Sequence, residues 1–504
     1  MKQSITKAMS QIFLLSIIAK IIAFVKSMIQ ASYYGATIQT DVYNMTNGIV
    51  SNVLYMFTTA VAVAYVPLYV QKKAKGENSY KFATVTITAL TVAAIGLTLV
   101  MEIFACPIMR MVAPGYTGEI LSEAVVYFRV LMIGFTFSLV ASLYQNILNA
   151  EKIYGYANFS SIINSTILIT IILLSARWLG IWALVLSVPV SYVCQFVVLY
   201  LRGRKFGIIS VRYGVRDEAV KMLVFLSLPI LLSQATVEIN QVVDRALLTS
   251  VAEGAVTSVS YAAVLYQFAM HVINIPISTV MFTELSEAGA ECNYERMREL
   301  LIDIYKIIVL VCLPVIVVVS FMSSNIVTIV YGRGRFDSQA ILQTATGLFG
   351  YIYCLIPVVV KNVLTRAYYG LNDTKRPMVM SVLEVALNIT LSILLAGKFG
   401  IIGVVGATAI SSLVFIAVML VNFEKAYFRV LYWKDIMEYW REIVAVVATI
   451  VMMWCIKNCM IVNVYIDFGV KSICIFAVYI LTLIIVREKK ILNGIKWLRN
   501  KIYS

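Results

Sequence analysis

The sequence predicts an all-α integral membrane protein: about fourteen transmembrane helices form two parallel six-helix lobes around a central cavity, followed by two C-terminal helices. Three observations lead to this fold class. The 504 residues are 61% hydrophobic and only 13% charged, with a mean hydropathy of +0.88, whereas soluble domains carry about 25% charged residues. Apolar stretches long enough to cross a bilayer recur along the whole chain. Short landmarks also repeat after about 220 residues.

Each predicted span is an apolar stretch long enough to cross a hydrocarbon core of about 30 Å, which takes about 20 helical residues. The spans are 11–29, 44–70, 82–106, 123–148, 157–177, 180–201, 222–249, 256–284, 303–325, 340–368, 378–396, 400–422, 442–460 and 467–486. The first span lacks a small-residue cleavage site and continues into the second. It is therefore predicted to be a retained helix and not a removed signal.

The internal repeat predicts the division into lobes. Its paired landmarks are Tyr34-Gly35-Ala36 with Glu253-Gly254-Ala255, Leu148-Asn149 with Leu371-Asn372, and Gly180-Ile181 with Gly400-Ile401. Six spans separate the members of each pair, so both halves have the same orientation and form parallel repeats. The predicted domains are 1–205 with spans one to six, 206–425 with spans seven to twelve, and 426–504 with the last two spans and a cytoplasmic tail.

The net charge of +15 reflects topology. Basic residues lie in short loops between spans and not along a stripe, so nucleic acid is not an expected partner. Both termini are predicted to be cytoplasmic because the connections on that side hold most of the basic loop residues. These are Lys72, Lys73, Lys75, Lys81, Arg202, Arg204, Lys205, Arg212, Lys375, Arg376, Lys489 and Lys490, whereas Arg333 and Arg335 break the pattern.

Motifs for catalysis are absent from the sequence. There is no GxxxxGK[ST] loop, no HExxH and no CxxC pair, and His271 is the single histidine. The eight cysteines are interpreted as small apolar residues of the spans. The sequence therefore predicts a protein that is not an enzyme and has no cofactor.

The order of several short motifs resembles the MurJ/MviN lipid II flippases of the MOP exporter superfamily, over essentially the whole chain. These motifs are Ala23-Phe24-Val25-Lys26 with Tyr34-Gly35-Ala36 and Asp41, Ala64-Tyr65-Val66-Pro67, Val112-Ala113-Pro114-Gly115, Ile147-Leu148-Asn149, Ile239 to Asp244 with Glu253-Gly254, Tyr331-Gly332 with Phe336, and Asn372 to Pro377. The chain departs from the family pattern at Leu54-Tyr55, Thr59-Ala60 and Ala263-Val264, where family members carry charged residues or glycine.

Ionisable side chains within spans are the candidate substrate-binding residues, because they are costly there unless they face water or a partner. Lys20 and Lys26 lie about 120° apart on the first helix, and both are predicted to border a cavity that holds a diphosphate. Asp41 starts the second span and is predicted to gate the outer mouth by pairing with a lysine. Further cavity candidates are Arg129, Lys361 and Arg366. The alternative for Lys26 is that it reaches the interface.

The resemblance also suggests coupling to Na⁺, with oxygen ligands from three helices. The predicted ligands are Glu238, Asp244, Glu384, Asn388 and Thr408. The alternative is that Glu384 and Asn388 hydrogen-bond within their lobe. The membrane potential is a second driving force, worth about 2.3 kcal/mol per charge per 100 mV.

The predicted function is a flippase that moves a lipid-linked peptidoglycan precursor, lipid II, to the outer leaflet by alternating access. Its expected partners are a polyprenyl-diphosphate-linked glycan, membrane lipid and cell-wall synthesis proteins, and its expected location is a bacterial cytoplasmic (inner) membrane. The sequence is also compatible with three alternatives. They are a flippase for undecaprenyl-linked capsule, exopolysaccharide or O-antigen units, a cation-coupled drug exporter, and a non-transporting scaffold of the cell-wall machinery.

Overall fold

A computed structural model describes residues 2–210, 218–456, 463–488 and 490–492. Arg212, Cys459, Lys489 and the end of predicted span 442–460 lie outside these residues. The helices are α1 Lys2–Tyr34, α2 Ile38–Ala74, α3 Ser79–Ile103, α4 Ala105–Val112, α5 Gly118–Ala150, α6 Tyr156–Leu179, α7 Ile181–Gly203, α8 Glu218–Leu248, α9 Ala255–Ala290, α10 Tyr294–Tyr331, α11 Ser338–Ile352, α12 Leu355–Gly370, α13 Lys375–Ala426, α14 Trp433–Glu438, α15 Trp440–Ile456 and α16 Val464–Ile485. The all-α membrane fold is thereby confirmed.

The number of spans depends on how bent helices are counted. Within the described ranges, twelve helices are long and apolar enough to cross a membrane, and the pair α11 and α12, bent by 41°, makes a thirteenth. The 52 residues of α13 would extend about 78 Å at about 1.5 Å per residue, far more than one crossing needs. Gly400 breaks α13 into two helices. Counting both gives the predicted fourteen, but the number of separate helices alone does not confirm it.

The internal repeat appears as shared backbone conformations. Gly180 between α6 and α7 has φ 54° and ψ −133°, and Gly400 within α13 has φ 57° and ψ −133°. This region suits glycine because it lacks a Cβ. Lys152 and Asn372 both have φ 59°. The spacing of each pair is 220 residues, as the repeat predicts.

One predicted pairing needs correction. The amide of Ile153 donates to the carbonyl of Leu148 at 2.8 Å, and the amide of Asp373 donates to the carbonyl of Tyr368 at 2.9 Å. The equivalent of Leu148 is therefore Tyr368, not Leu371. The pairing from the sequence was wrong because it matched identical residue types. The feature that repeats is the hydrogen-bonded end of the helix, and its side chains differ between the two copies.

The chain divides into two compact units: unit 1 is Met1–Thr257 with Arg333–Asp337, and unit 2 is Ser258–Gly332 with Ser338–Ser504. The boundary at Thr257 lies beyond the predicted lobe boundary at residue 205, because α8 packs against α2 and α3. The predicted arrangement of the lobes around a cavity stays a prediction.

In unit 1, α5 is the central helix and packs against α2, α3 and α7. The buried ring of Tyr65 stacks on Phe82 with 5.3 Å between centroids. At one end of the unit, the Tyr69 hydroxyl and the Lys73 ammonium both donate to Glu151 at 2.7 Å. The C-terminal ends of α2 and α5 therefore lie together, at the end that the charge pattern predicts to be cytoplasmic.

In unit 2, polar contacts connect α10 to α14, to α16 and to the residues that follow α16. The Lys306 ammonium lies 2.7 Å from a Glu438 oxygen and 3.5 Å from a Glu488 oxygen. Asp467 accepts a hydrogen bond from Asn325 at 3.0 Å and forms an ion pair with Lys471 at 2.8 Å. The structure thus groups the predicted C-terminal domain, as far as it is described, with unit 2.

Candidate functional site

Asp41 caps a distant helix instead of pairing with a lysine. Its side chain is 2% exposed, and its two oxygens accept hydrogen bonds from the amides of Gly254 at 2.7 Å and Thr257 at 2.8 Å, at the start of α9. The Glu253 carboxylate in turn accepts from the amide of Ile38, the first residue of α2, at 3.2 Å. Asp41, in the first turn of α2, therefore caps the start of α9, and Glu253, just before α9, caps the start of α2. All these residues belong to unit 1. The structure therefore gives Asp41 backbone amides as partners, in place of the predicted lysine.

Two loops reinforce this end of unit 1. The amide of Gly115 donates to the Thr249 hydroxyl at 3.1 Å after α8, and the amide of Arg335 donates to the Ser32 carbonyl at 2.9 Å within the last turn of α1. A Cβ at Gly115 would collide with the carbonyl of Thr249. Arg335 is one of the two exceptions to the charge pattern. Its backbone hydrogen bond to α1 places it at this end of unit 1.

The two lysines of α1 differ in exposure: Lys20 is exposed, whereas Lys26 is half-buried. Neither forms an ion pair with a residue that the structure describes. They remain candidates for compensating an anionic ligand, as predicted.

Two of the other three predicted cations, Arg129 and Lys361, have acidic neighbours. The Arg129 Nε lies 3.7 Å from a Glu102 oxygen, with the arginine side chain 52% exposed. Lys361 donates to both Glu384 oxygens, at 2.8 and 3.2 Å. Arg366 is half-buried. Glu384 therefore pairs with a residue that the sequence analysis placed in a different, substrate-binding role.

The predicted Na⁺ ligands fall in both units. Glu238, which is 5% exposed, and Asp244 belong to unit 1. Asn388 in unit 2 donates to the Ser411 hydroxyl at 3.1 Å, and the Thr408 hydroxyl approaches the carbonyl of Val404 at 3.5 Å. Over the described ranges, no cluster of three or more His, Cys, Asp or Glu residues could hold a metal. Sodium coupling stays a prediction.

Unit 1 also contains an open polar cavity of about 570 Å³, lined by α2, α5, α6 and α7. Its lining has hydroxyl, amide and phenol groups, three apolar residues and no charged residue. The lining residues are Ser51, Leu54, Tyr55, Thr58, Thr59, Ala62, Val63, Ser138, Ser142, Gln145, Asn146, Ser161, Asn164, Ser165, Tyr192 and Gln195. The cavity thus includes Leu54, Tyr55 and Thr59, three of the positions at which the sequence departs from the family pattern.

The α6 and α7 walls of the cavity are fixed by amide hydrogen bonds. The Asn164 amide donates to the Ser191 hydroxyl at 3.0 Å and approaches the Gln195 oxygen at 3.4 Å. The Gln195 amide donates to the Ser160 hydroxyl at 3.3 Å. These bonds orient the polar side chains that face the cavity.

Sequence reasoning missed this cavity because it searched the spans for charge. A signal was present in the spacing of neutral polar residues. Ser138, Ser142, Gln145 and Asn146 recur at helical intervals along one face of α5. A search for such faces in otherwise apolar spans would have found the α5 wall.

Comparisons with known proteins agree with this architecture. A family model described as lipid II flippase MurJ matches residues 30–471. The probable lipid II flippase MurJ of Borreliella burgdorferi is 27% identical over 404 residues, covering 79% of this chain and 79% of that protein. The corresponding protein of Rickettsia prowazekii is 24% identical over 406 residues, covering 79% and 80%.

Solved structures show the same fold. A lipid II flippase MurJ in an inward closed conformation has a TM-score of 0.81 and 20% identity, covering 95% of this chain and 99% of that one. An inward-facing multidrug resistance MATE transporter of the MOP superfamily has a TM-score of 0.70 and 13% identity, covering 81% and 94%. Since the family model spans most of the sequence, the chain is a multi-span membrane protein that belongs to the lipid II flippase MurJ family.

Proposed function

We propose that this protein is a flippase that moves lipid II, a polyprenyl-diphosphate-linked peptidoglycan precursor, from the cytoplasmic to the outer leaflet of a bacterial cytoplasmic membrane. The observation that carries the proposal is the match of the MurJ family model to residues 30–471. This match favours lipid II over capsule units or drugs as the substrate. It also favours transport without covalent chemistry.

The described residues support transport through the protein interior. A polar cavity within an apolar helical unit gives a hydrophilic head group a place that the surrounding lipid does not offer. The two lysines of α1 supply positive charge for a diphosphate, for which lysine acts as a point charge. The polyprenyl tail stays in lipid while the head group crosses by alternating access.

The charge pattern supports the orientation with both termini in the cytoplasm. In that orientation, the membrane potential favours outward movement of an anionic head group, by about 2.3 kcal/mol per charge per 100 mV. Sodium coupling remains part of the proposal as an additional driving force. Its candidate ligands are Glu238 and Asp244 in unit 1, and Glu384, Asn388 and Thr408 in unit 2. Cell-wall synthesis proteins are the partners that would use the exported substrate.

Complementation tests the proposal. A bacterial strain depleted of its own lipid II flippase receives the wild-type gene, Lys26→Ala or Lys75→Ala, at matched levels of inserted protein. Lys75 is an exposed residue that caps the end of α2, so its loss should leave rescue intact. We expect rescue by wild type and by Lys75→Ala, and loss of rescue by Lys26→Ala.

The outcomes separate the function from the role of the lysine. Failure of the inserted wild-type protein to rescue growth would overturn lipid II transport. Rescue by Lys26→Ala as effective as that of wild type would leave transport standing and would exclude an essential role for Lys26 in binding the diphosphate.

A further inference from the structure

The wall of the unit 1 cavity has hydrogen-bonding groups without charge. Of its 16 lining residues, 13 carry a hydroxyl, phenol or amide group. A diphosphate in such a cavity would have no cation to compensate it, which is costly away from water. Sugar hydroxyls and amide groups are neutral and can both donate and accept, so they match this wall.

Part of the hydrogen-bonding capacity is unused. Asn146 is 7% exposed and Gln145 is half-buried, and neither side-chain amide hydrogen-bonds to another residue in the part of the chain that the structure describes. A buried amide such as that of Asn146 is normally paired, so both side chains have hydrogen-bonding groups available to a ligand. Tyr55 is 55% exposed, which leaves an aromatic face free to lie against a sugar ring.

The position of the cavity suits a ligand that arrives from the cytoplasm. Gln145 lies five residues before the end of α5, and Ser161 lies five residues after the start of α6. At about 1.5 Å per residue, both are about 8 Å from the turn that joins these helices. That turn contains Glu151, the partner of Lys73 at the end that the charge pattern places in the cytoplasm.

An apolar recess adjoins the cavity. It has a volume of about 550 Å³, shares Val63 with the cavity, and is otherwise lined by residues of α2 and α8 that include Pro67, Leu226 and Ile230. Neighbouring polar and apolar compartments suit an amphiphile. A free sugar would use only the first of them.

We infer that this cavity is a binding site for the glycan part of the lipid-linked substrate, with Gln145, Asn146 and Tyr55 contacting sugar hydroxyl and amide groups. The inference rests on the proposed function and names the part of the substrate that this site binds. The diphosphate is bound elsewhere, where cations are available.

Binding measurements with two lipids test this assignment. Purified protein in lipid nanodiscs is titrated with lipid II and, separately, with undecaprenyl diphosphate, which lacks the glycan. The variants are Gln145→Leu and Tyr55→Leu. The control is Gln39→Leu, which makes the same amide-to-apolar change at an exposed position at the start of α2. All variants must elute as single species, and Tyr55→Leu provides an exposed change that the fold tolerates if Gln145→Leu does not fold.

We expect each cavity variant to weaken lipid II binding by about three- to tenfold, the range for one neutral hydrogen bond or ring contact. Binding of undecaprenyl diphosphate should stay within about twofold of wild type, and Gln39→Leu should change neither affinity. Equal losses for both lipids, or no loss for lipid II, would overturn the inference while the function stands. If wild-type protein does not bind lipid II more tightly than undecaprenyl diphosphate, the assignment of the glycan site is overturned. If wild-type protein binds neither lipid, the proposed function is overturned as well.

Discussion

The capping of α9 by Asp41 predicts a local effect of known position and size. The carboxylate accepts two backbone hydrogen bonds, from Gly254 and Thr257, at 2.7 and 2.8 Å. A hydrogen bond to a charged group contributes about 1.5–3 kcal/mol, and a factor of ten in an equilibrium constant corresponds to about 1.4 kcal/mol. Loss of one bond should therefore raise the local opening equilibrium by about ten- to a hundredfold.

Two substitutions divide this contribution. Asp41→Asn keeps one acceptor oxygen and replaces the other with a donor, so one of the two amides loses its partner. Asp41→Ala removes both acceptors, and both amides are left unpaired at the start of a helix, where nothing in the helix itself can satisfy them. We expect faster exchange at one amide in the first variant and at both in the second.

Amide hydrogen exchange followed by mass spectrometry with single-residue fragmentation measures this effect in the segment 250–260. The control is Asp303→Asn, which neutralises an exposed carboxylate in unit 2 and should leave this segment unchanged. An increase of less than about threefold at Gly254 and Thr257 in Asp41→Ala, set against the tenfold minimum, would refute the capping argument.

Two further predictions concern backbone strain and pH. Gly180→Ala should destabilise the protein by about 1–3 kcal/mol through its backbone conformation alone, since the added Cβ would meet no atom within 4 Å. The control is Gly96→Ala, where the added Cβ is equally unobstructed but the backbone is helical, and it should be neutral or stabilising. Thermal unfolding of both variants in detergent measures the difference. Burial alone would raise the pKa of Asp373, but hydrogen bonds from Tyr427 and Arg376 hold that pKa below its usual range. The stability that these hydrogen bonds contribute is present above the unfolded pKa of about 3.9 and is lost as the pH falls through the lower folded pKa. Wild type should therefore lose more stability than Asp373→Asn on acidification below about pH 4. Equal losses of stability in the two proteins would contradict the assignment.

The sequence predicted the features that depend on local chemistry. The spans follow from runs of apolar residues, and the breaks at Gly180 and Gly400 follow from glycine at repeated positions. Both glycines adopt the same conformation, with ψ at −133°. Such features were predictable because the residue types that cause them lie within the segment that adopts them.

The partners of the charged residues could not be predicted in the same way. Asp41 binds backbone amides more than 210 residues away, and backbone amides have no residue identity by which to recognise them. Lys361 and Glu384 are 23 residues apart on neighbouring helices, and they were assigned to two different sites although they form one ion pair. Pairing across helices depends on packing, which charge and spacing do not specify.

Two lysines within the described spans are compensated by acidic residues of the protein itself. Lys361 pairs with Glu384, and Lys471 pairs with Asp467, so these cations have little positive charge left for a ligand. Lys20 and Lys26 form no ion pair with a described residue, so on the proposed function they are the cations that we expect to compensate a diphosphate. A neutral cavity in the same unit then contributes little to holding the anion but can distinguish one glycan from another. On the proposed function, substitutions on α1 should weaken all diphosphate-linked substrates alike, and substitutions in the cavity should change which glycan is preferred.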